Sequence, residues 1–432
     1  MQDLILEQIG NPDLGKTSWR EYKEELMLKT IEAIDSFSPK RHKETKSGEI
    51  QVIDLFCGAG GTSLGFAALN MIRPSFKLLG GCDINKISAM TYSHNYGTPL
   101  LNRDIVELAY EPEKLKIFLD NIGFDVHKPC VLIGCAPCQG FSSHRKKNWD
   151  EEDDKRNNLI LAYAKIVESI LPDIIIMENV PEFLSERYWK YFSTAKKSFE
   201  SNGYIVKQRV YNAATFCVPQ ERFRSVIIGM KKDFLLPDNY LEDSDFRTVR
   251  DAIGNLPKVE AGVQDPKDPM HKSAAHKKST IDVIKSVPHD GGNRPAGIGP
   301  KCLDRTKGFS DVYGRLFWDR PSITITHYAR NPASGRYTHP DQDRGLTARE
   351  AAQLQSFPKG FEFTGGSDDV YRQIGEAVPP YLSAAIATSV LIEFLSNEPT
   401  DEERQNSLAS IDSPVNNSYS SVIAGIKLKR GA

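Results

Sequence analysis

The chain has 432 residues, enough for one large domain and a smaller one. Apolar residues make up 40 % and the formal net charge is −2. A sizeable core is therefore expected, and any nucleic-acid contact must come from local patches rather than bulk charge. No stretch approaches the roughly 20 apolar residues of a membrane span. The start, Met1-Gln2-Asp3-Leu4-Ile5, lacks a basic segment followed by a long apolar one, so no secretory signal is expected. Seven cysteines, several of them inside apolar runs, fit a reducing compartment better than a disulfide framework, and a cytoplasmic location is expected.

Residues 1–48 are polar and charged, with a helix expected from Trp19 to Ile34. Ile50-Gln51-Val52-Ile53-Asp54-Leu55-Phe56 reads as a buried strand broken by Gly58 to Gly61, and Thr62 to Leu69 as a helix. Lys77 to Cys82 is a second strand ending in Asp83, followed by a helix over Asn85 to Asn95. Cys130 to Gly134 is a central strand, Leu159 to Leu171 is helical in period, and Ile174-Ile175-Ile176-Met177 is a strand buried on both faces. Such alternation predicts an α/β fold, a parallel sheet covered by helices on both sides. Ligands bind beyond the carboxyl ends of such strands, where Asp54, Phe56, Asp83, Cys138 and Glu178 fall. After Met230 the chain turns rich in Pro, Gly, Lys, Arg and His. Arg320 to Thr326 restores a strand, and Tyr381 to Leu395 is a terminal helix. The division expected is 1–48, an N-terminal helical extension; 49–230, a catalytic and cofactor-binding domain; 231–318, a recognition domain; 319–396, a return to the first domain; and 397–432, a flexible tail.

Three motifs stand at the strand ends. Asp54-Leu55-Phe56-Cys57-Gly58-Ala59-Gly60-Gly61 is a glycine-rich turn whose spacing is not G-x-G-x-x-G; it is either a ligand loop or a structural turn. Asp83 is placed to accept from ribose hydroxyls, or else to cap the following helix. Cys135-Ala136-Pro137-Cys138 places Cys138 on a Pro-Cys-Gln turn after a buried strand, as a presented nucleophile. The same four residues form a C-x-x-C pair, but the sequence offers no second pair at zinc spacing. Glu178, after a very hydrophobic strand, is expected to be desolvated, which raises a carboxyl pKa and suits proton sharing with a ring nitrogen. Arg222 and Arg224 alternate, so a strand would present both on one side.

The order Phe-x-Gly-x-Gly, Pro-Cys-Gln, Glu-Asn-Val, Gln-x-Arg-x-Arg and a late Gly-x-Ala-Val-Pro-Pro resembles the cytosine-C5 DNA methyltransferase family, of bacterial restriction–modification type, from about Ile50 to Leu395. The resemblance implies a Rossmann-like class I S-adenosylmethionine-dependent methyltransferase with a smaller target-recognition domain. It implies cofactor contacts from Phe56, Gly58, Ala59, Gly60 and Gly61, from Asp83 and Ile84, and from Asp104 and Ile105. Pro137 and Leu159 join these, as do the backbones of Glu376 and Ala377. Glu376 stands where the family usually has Asn, so that side chain's contact does not carry over. Cys138, Glu178, Arg222 and Arg224 are the implied catalytic residues, with S-adenosylhomocysteine as the product and no metal.

In that chemistry Cys138 adds to carbon 6 of a flipped cytosine. Glu178 holds the N3 and N4 edge, and Arg224, with Arg222 nearby, binds the O2 side. Expected DNA contacts are Gln139, Ser142, Arg145, Lys146 and Arg156 around a DNA-closing loop, with Arg294 and Arg305 in the recognition domain. Asn293 is a candidate for reading adenine, and Lys278 and Arg315 belong to a local basic excess. The expected partner is double-stranded DNA with no membrane, the protein acting as a monomer paired functionally with a restriction endonuclease. A tRNA cytosine-C5 methyltransferase of the same fold is the competing expectation; the Cys-Phe-Thr signature of such relatives is not matched by Thr215-Phe216-Cys217. A DNA-binding protein that keeps the fold without catalysis would lack a use for Cys138, Glu178 and Arg224. A redox protein would depend on both Cys135 and Cys138.

Overall fold

The computed structural model describes residues 18–137, 149–304 and 311–415, and for 149–157 the backbone. The expectations on Cys138, Gln139, Ser142, Arg145, Lys146 and Arg305 lie outside the described residues, as does the side chain of Arg156. Two compact units emerge: Met1–Asn212 with Phe223–Asp238 and Leu382–Ala432, and Ala213–Arg222 with Asn239–Tyr381. The second is larger than the expected 231–318 insert. Residues 319–381 belong to it rather than returning to the first unit.

The first unit is built on β1 (Ile50–Leu55), β2 (Phe76–Cys82), β3 (Cys130–Gly134), β4 (Ile174–Asn179), β5 (Ile205–Asn212) and β6 (Phe223–Met230), in the order β2-β1-β3-β4-β6-β5. Every residue of β1, β3, β4 and β6 is buried, as their near-continuous apolar text requires. The pairs β1–β2, β1–β3 and β3–β4 are parallel. Against expectation, β6 runs antiparallel to both β4 and β5. The short connection Ala213–Arg222 between β5 and β6 has no crossover helix, and an antiparallel neighbour does not need one. Strand order reverses direction at β1 and β3, which opens a crevice at their carboxyl ends.

Among the described residues two helices precede the sheet, α1 (Trp19–Asp35) and α2 (Pro39–Glu44). Ser18 and Glu21 form a capping box on α1, and the helix buries Trp19, Tyr22, Leu26, Ile31 and Ile34. Arg20 grips Glu393 with Nε at 3.1 Å and Nη2 at 2.9 Å, locking α1 to the helix Pro380–Leu395. The helix preceding β4 spans Trp149–Ile170, so it starts ten residues before the expected Leu159, with Asp150, Glu151 and Glu152 in its first turn. Acidic residues are favoured in the first turn of a helix.

The 397–432 segment is not a free tail where it is described. Asp401–Asn406 is helical. Beyond it, the Ile411 N–H donates to Gln208 O at 2.9 Å and the Val415 N–H to Leu184 O at 3.0 Å. Ile411 and Val415 also pack on the core; Ile411 lies along the edge strand β5, and Val415 bridges to Ser185. In the second unit no strand forms at 320–326; only Ser322 bridges, to Gln220. The Ser322 N–H donates to Pro219 O at 3.0 Å, and Pro321 in this run removes a ladder donor. Among the described residues no single helix is long and apolar enough to cross a membrane.

Gly65, in the helix after β1 (Gly61–Ile72), permits close approach to the C-terminal helix. A Cβ there would lie 2.4 Å from the Ser383 backbone carbon and 2.5 Å from Ala384 N. Gly65→Ala is expected to destabilise the protein by about 1–3 kcal/mol, read as a lower urea midpoint.

Candidate active site

The glycine turn leaves β1 through Phe56, whose φ of 57° is a left-handed conformation uncommon without glycine. Gly58 and Gly60 follow with φ of 52° and 92°. A Cβ on Gly58 would meet nothing within 4 Å, so open space lies beside the turn. Gly60 caps the helix Gly61–Ile72 without any side-chain bond, which leaves first-turn amides for an anionic group. Asp83 is joined to this turn: its Oδ2 accepts from Gly58 N at 2.9 Å and its Oδ1 from Asn85 N at 2.7 Å. Burial pushes the Asp83 carboxyl up, and these two amides pull it back. Asn85, not Asp83, caps the following helix, through bonds to Ile87 N and Ser88 N.

Ile84 is 71 % exposed beside the turn. Asn102 Nδ2 holds the carbonyls of Asp83 at 2.8 Å and Ile84 at 2.7 Å. This ties the Asp83 segment to the one leading to Asp104 and Ile105. Asp104 caps the helix Ile105–Tyr110, its Oδ1 accepting from Val106 N at 2.8 Å, and Ile105 is buried in the core. An open glycine turn, an uncapped helix terminus, a carboxylate at the next strand and an exposed Ile84 fit an adenosyl group carrying an amino-acid end. Glu376, exposed, and Ala377, buried, belong to the second unit.

Beneath the turn, Asp54 is wholly buried. Its Oδ2 accepts from Ser63 Oγ at 2.7 Å, and burial pushes its carboxyl up to about 7. Cys135 lies nearby, its Sγ 3.4 Å from Thr62 Oγ1. Burial, with Glu178 and Asp54 adding negative charge, lifts that thiol well above its ordinary range. Cys135 therefore stays a thiol, and a redox pair built on it has no ready thiolate.

Glu178 is the last residue but one of β4 and is 9 % exposed. Arg224 Nε lies 2.8 Å from its Oε1, so the desolvation expected of Glu178 comes with a facing cation. Asn179, present in the sequence only as part of a motif, links the end of β4 to the segment that follows β3. Its Nδ2 donates to Ala136 O at 3.2 Å, two residues before Cys138. Ser225 Oγ donates to the carbonyls of Asn179 and Val180, both at 3.1 Å, so β6 braces the end of β4. A polar residue closing an apolar strand was the available signal for Asn179; nothing in the sequence singled out Ser225.

Arg222 does not share a strand face with Arg224. It precedes β6 and lies in the second unit, 2 % exposed. Its guanidinium donates to Ile325 O at 3.0 Å, Gly375 O at 3.0 Å and Ala377 O at 3.1 Å. Arg294, expected on DNA, is folded into its own loop, with Nη2 2.9 Å from Asp304 Oδ1 and Nη1 2.5 Å from Ile298 O. Arg315 is wholly buried, donating to Val287 O at 3.0 Å and Ile284 O at 3.0 Å. Asn293 Oδ1 accepts from Arg336, and Lys278 pairs with Asp282. The basic excess read from the sequence is thus partly interior wiring. Leu159 is half-buried against the core, and Pro137 is exposed.

Arg222→Ala is expected to cost about 3 kcal/mol of stability by stranding carbonyls, read by urea unfolding. Unchanged stability with lost activity would instead place Arg222 in the chemistry. Asp54 holds its proton more tightly folded than unfolded. Between its ordinary value of 3.8 and about 7 the folded state therefore carries the extra proton, and stability falls as pH rises. Asp54→Asn should flatten the fall in urea midpoint between about pH 4 and about pH 7.

A family profile described as C-5 cytosine-specific DNA methylase matches residues 50–391. The Type II methylase M.HgiDII of Herpetosiphon aurantiacus is 34 % identical over 351 residues, covering 78 % of this chain and 94 % of that one. The Type II methyltransferase M1.HphI of Haemophilus parahaemolyticus is 35 % identical over 340 residues, covering 78 % and 86 %. Among solved structures, a prophage-encoded E. coli protein provisionally described as a DNA modification methyltransferase superposes with a TM-score of 0.60 at 23 % identity. It covers 80 % of this chain and 100 % of its own, a likeness of fold. With the glycine turn, the Glu178–Arg224 pair and the six-stranded sheet in place, the chain belongs to the C-5 cytosine-specific DNA methylase family.

Proposed function

We propose that the protein transfers a methyl group from S-adenosylmethionine to carbon 5 of a flipped-out cytosine in a specific duplex DNA sequence. In this reading it acts as a monomer in the cytoplasm, as the modification partner of a restriction endonuclease. The observation that carries the reading is the bond from Asn179 to Ala136 O, which ties the segment entering Cys138 to the strand end that holds Glu178 against Arg224. Membership of the family and the Type II relatives support the substrate.

The glycine turn, Asp83 and Ile84 hold the cofactor, with Pro137 and Leu159 of the same unit as further contacts. S-adenosylmethionine, when bound, supplies an electrophilic methyl carbon on a positive sulfur. Carbon 5 of cytosine is a poor nucleophile. Cys138 adds as thiolate to carbon 6, and the displaced π pair makes carbon 5 reactive. The Glu178 carboxyl holds the N3 and N4 edge while negative charge develops, and Arg224 fixes Glu178 and faces the O2 side. Once carbon 5 is methylated its proton leaves to water, the Cys138–carbon 6 bond breaks with its electron pair returning to sulfur, and the ring is restored. Gln139, Ser142, Arg145, Lys146 and Arg156 approach DNA from the sequence that follows the nucleophile.

Labelled S-adenosylmethionine should deliver its methyl to duplex DNA with the wild type and not with Cys138→Ala. Transfer to tRNA alone would replace this reading with that of a tRNA methyltransferase.

A further inference from the structure

The matched family region begins at residue 50, yet the segment before it reaches the glycine turn. Phe37, 1 % exposed, lies with its ring centroid 6.0 Å from Tyr96, and His42 of α2 meets the same ring edge-on at 5.7 Å. Phe37 and His42 also pack on each other at 5.8 Å, so together they form a wall behind Tyr96. Tyr96 Oη donates to Gly60 O at 2.5 Å. Its ring sits 4.7 Å from Tyr92, whose Oη is 2.8 Å from Ser63 Oγ, the group that donates to Asp54. A Cβ on Gly60 would lie 2.4 Å from Tyr96 and 2.8 Å from Tyr92. The two tyrosines therefore clamp the left-handed Gly60 from one side, leaving the open side at Gly58.

We propose that the N-terminal extension is a positioning element of the cofactor site: Phe37 and His42 fix Tyr96, and Tyr96 fixes the Gly60 carbonyl and so the set of the glycine turn. The inference rests on the reading of that turn as the cofactor loop. The turn has two left-handed glycines, Gly58 and Gly60, and a left-handed Phe56 before them, so its backbone has access to other arrangements. A hydroxyl on the Gly60 carbonyl and an aromatic wall behind it select one. Pre-organisation of this kind appears in ligand affinity, since an unset loop must be ordered at the moment of binding.

Calorimetric titration with S-adenosylhomocysteine tests this on four variants of the full chain, each first checked for cooperative unfolding. Tyr96→Phe removes only the hydroxyl, Phe37→Ala opens the wall, and Phe37→Leu keeps apolar volume. Arg20→Ala cuts the ion pairs that hold the other part of the extension to Glu393 and Glu403. Tyr96→Phe and Phe37→Ala should raise Kd by about tenfold, with Phe37→Leu between them and wild type. Arg20→Ala should lose stability but keep the wild-type Kd. In methyl transfer the same two variants should raise KM for S-adenosylmethionine and leave kcat at saturation unchanged. Equal weakening by Arg20→Ala would reduce the extension to general support and overturn the proposal, as would wild-type affinity in Tyr96→Phe and Phe37→Ala. A wild type that binds no S-adenosylhomocysteine would overturn the reading of the loop itself, an outcome visible before any variant is compared.

Discussion

A carboxylate and a guanidinium held together at the end of a buried sheet impose the strictest demand in this fold. Taking both charges out of water costs several kcal/mol each and is recovered only when the pair is well aligned. Alignment here comes from backbone direction. Because β6 runs antiparallel to β4, Glu178 pairs in register with Val226, and Arg224 sits two residues nearer the start of β6. Ser225, between them, points its hydroxyl at the carbonyls of Asn179 and Val180 and closes the strand end. A parallel β6 would have started at the other end of the sheet and carried its arginine away from Glu178.

The same end of the sheet concentrates polar groups beneath an apolar platform. Asp54, Ser63 and Tyr92 form a hydrogen-bonded chain under the glycine turn and Tyr96, stacked on Tyr92, bonds to the turn itself, while Leu55, Leu132, Ile175 and Met177 continue the core. Such networks hold a unique arrangement because each member is costly to strand. They also explain why glycine recurs here. Gly60 and Gly81 both lie within 3 Å of the Tyr92 ring once a Cβ is added, so the ring occupies what side chains would fill.

The sheet and its helices were legible because period and composition agreed: β1, β3 and β4 are runs of mostly branched apolar residues, and β4 closes on the polar pair Glu178 and Asn179. The position of Glu178 and of the glycine turn at the strand ends was readable from that text, while their roles rested on the resemblance. Contacts that depend on distant chain were not. Arg222 and Arg224 look equivalent in the text, but Arg222 finds backbone carbonyls of residues 325, 375 and 377, far away in sequence. The arginines of the second unit differ from expectation for the same reason: Arg294 and Arg315 serve loop interiors, which composition cannot tell from a DNA-facing surface. The helix before β4 starts earlier than its apolar period shows because its first turns, at 150–154, are acidic and carry no apolar stripe. The tail reads as free because two apolar residues, Ile411 and Val415, are too few to register as a pattern, yet they dock on β5 and on Ser185 respectively.

That edge carries a consequence for handling the protein. β5 is the outermost strand, and its Gln208 carbonyl and side chain are satisfied by Ser410 and Ile411. A chain ending before Ser410 would present an unpaired strand border flanked by an uncovered apolar face, the template on which neighbouring copies pair and accumulate as aggregates. The last described residues thus act as a guard strip against self-association. A fusion partner placed at the N-terminus, or after residue 415, spares that strip, whereas trimming to the matched family boundary removes it.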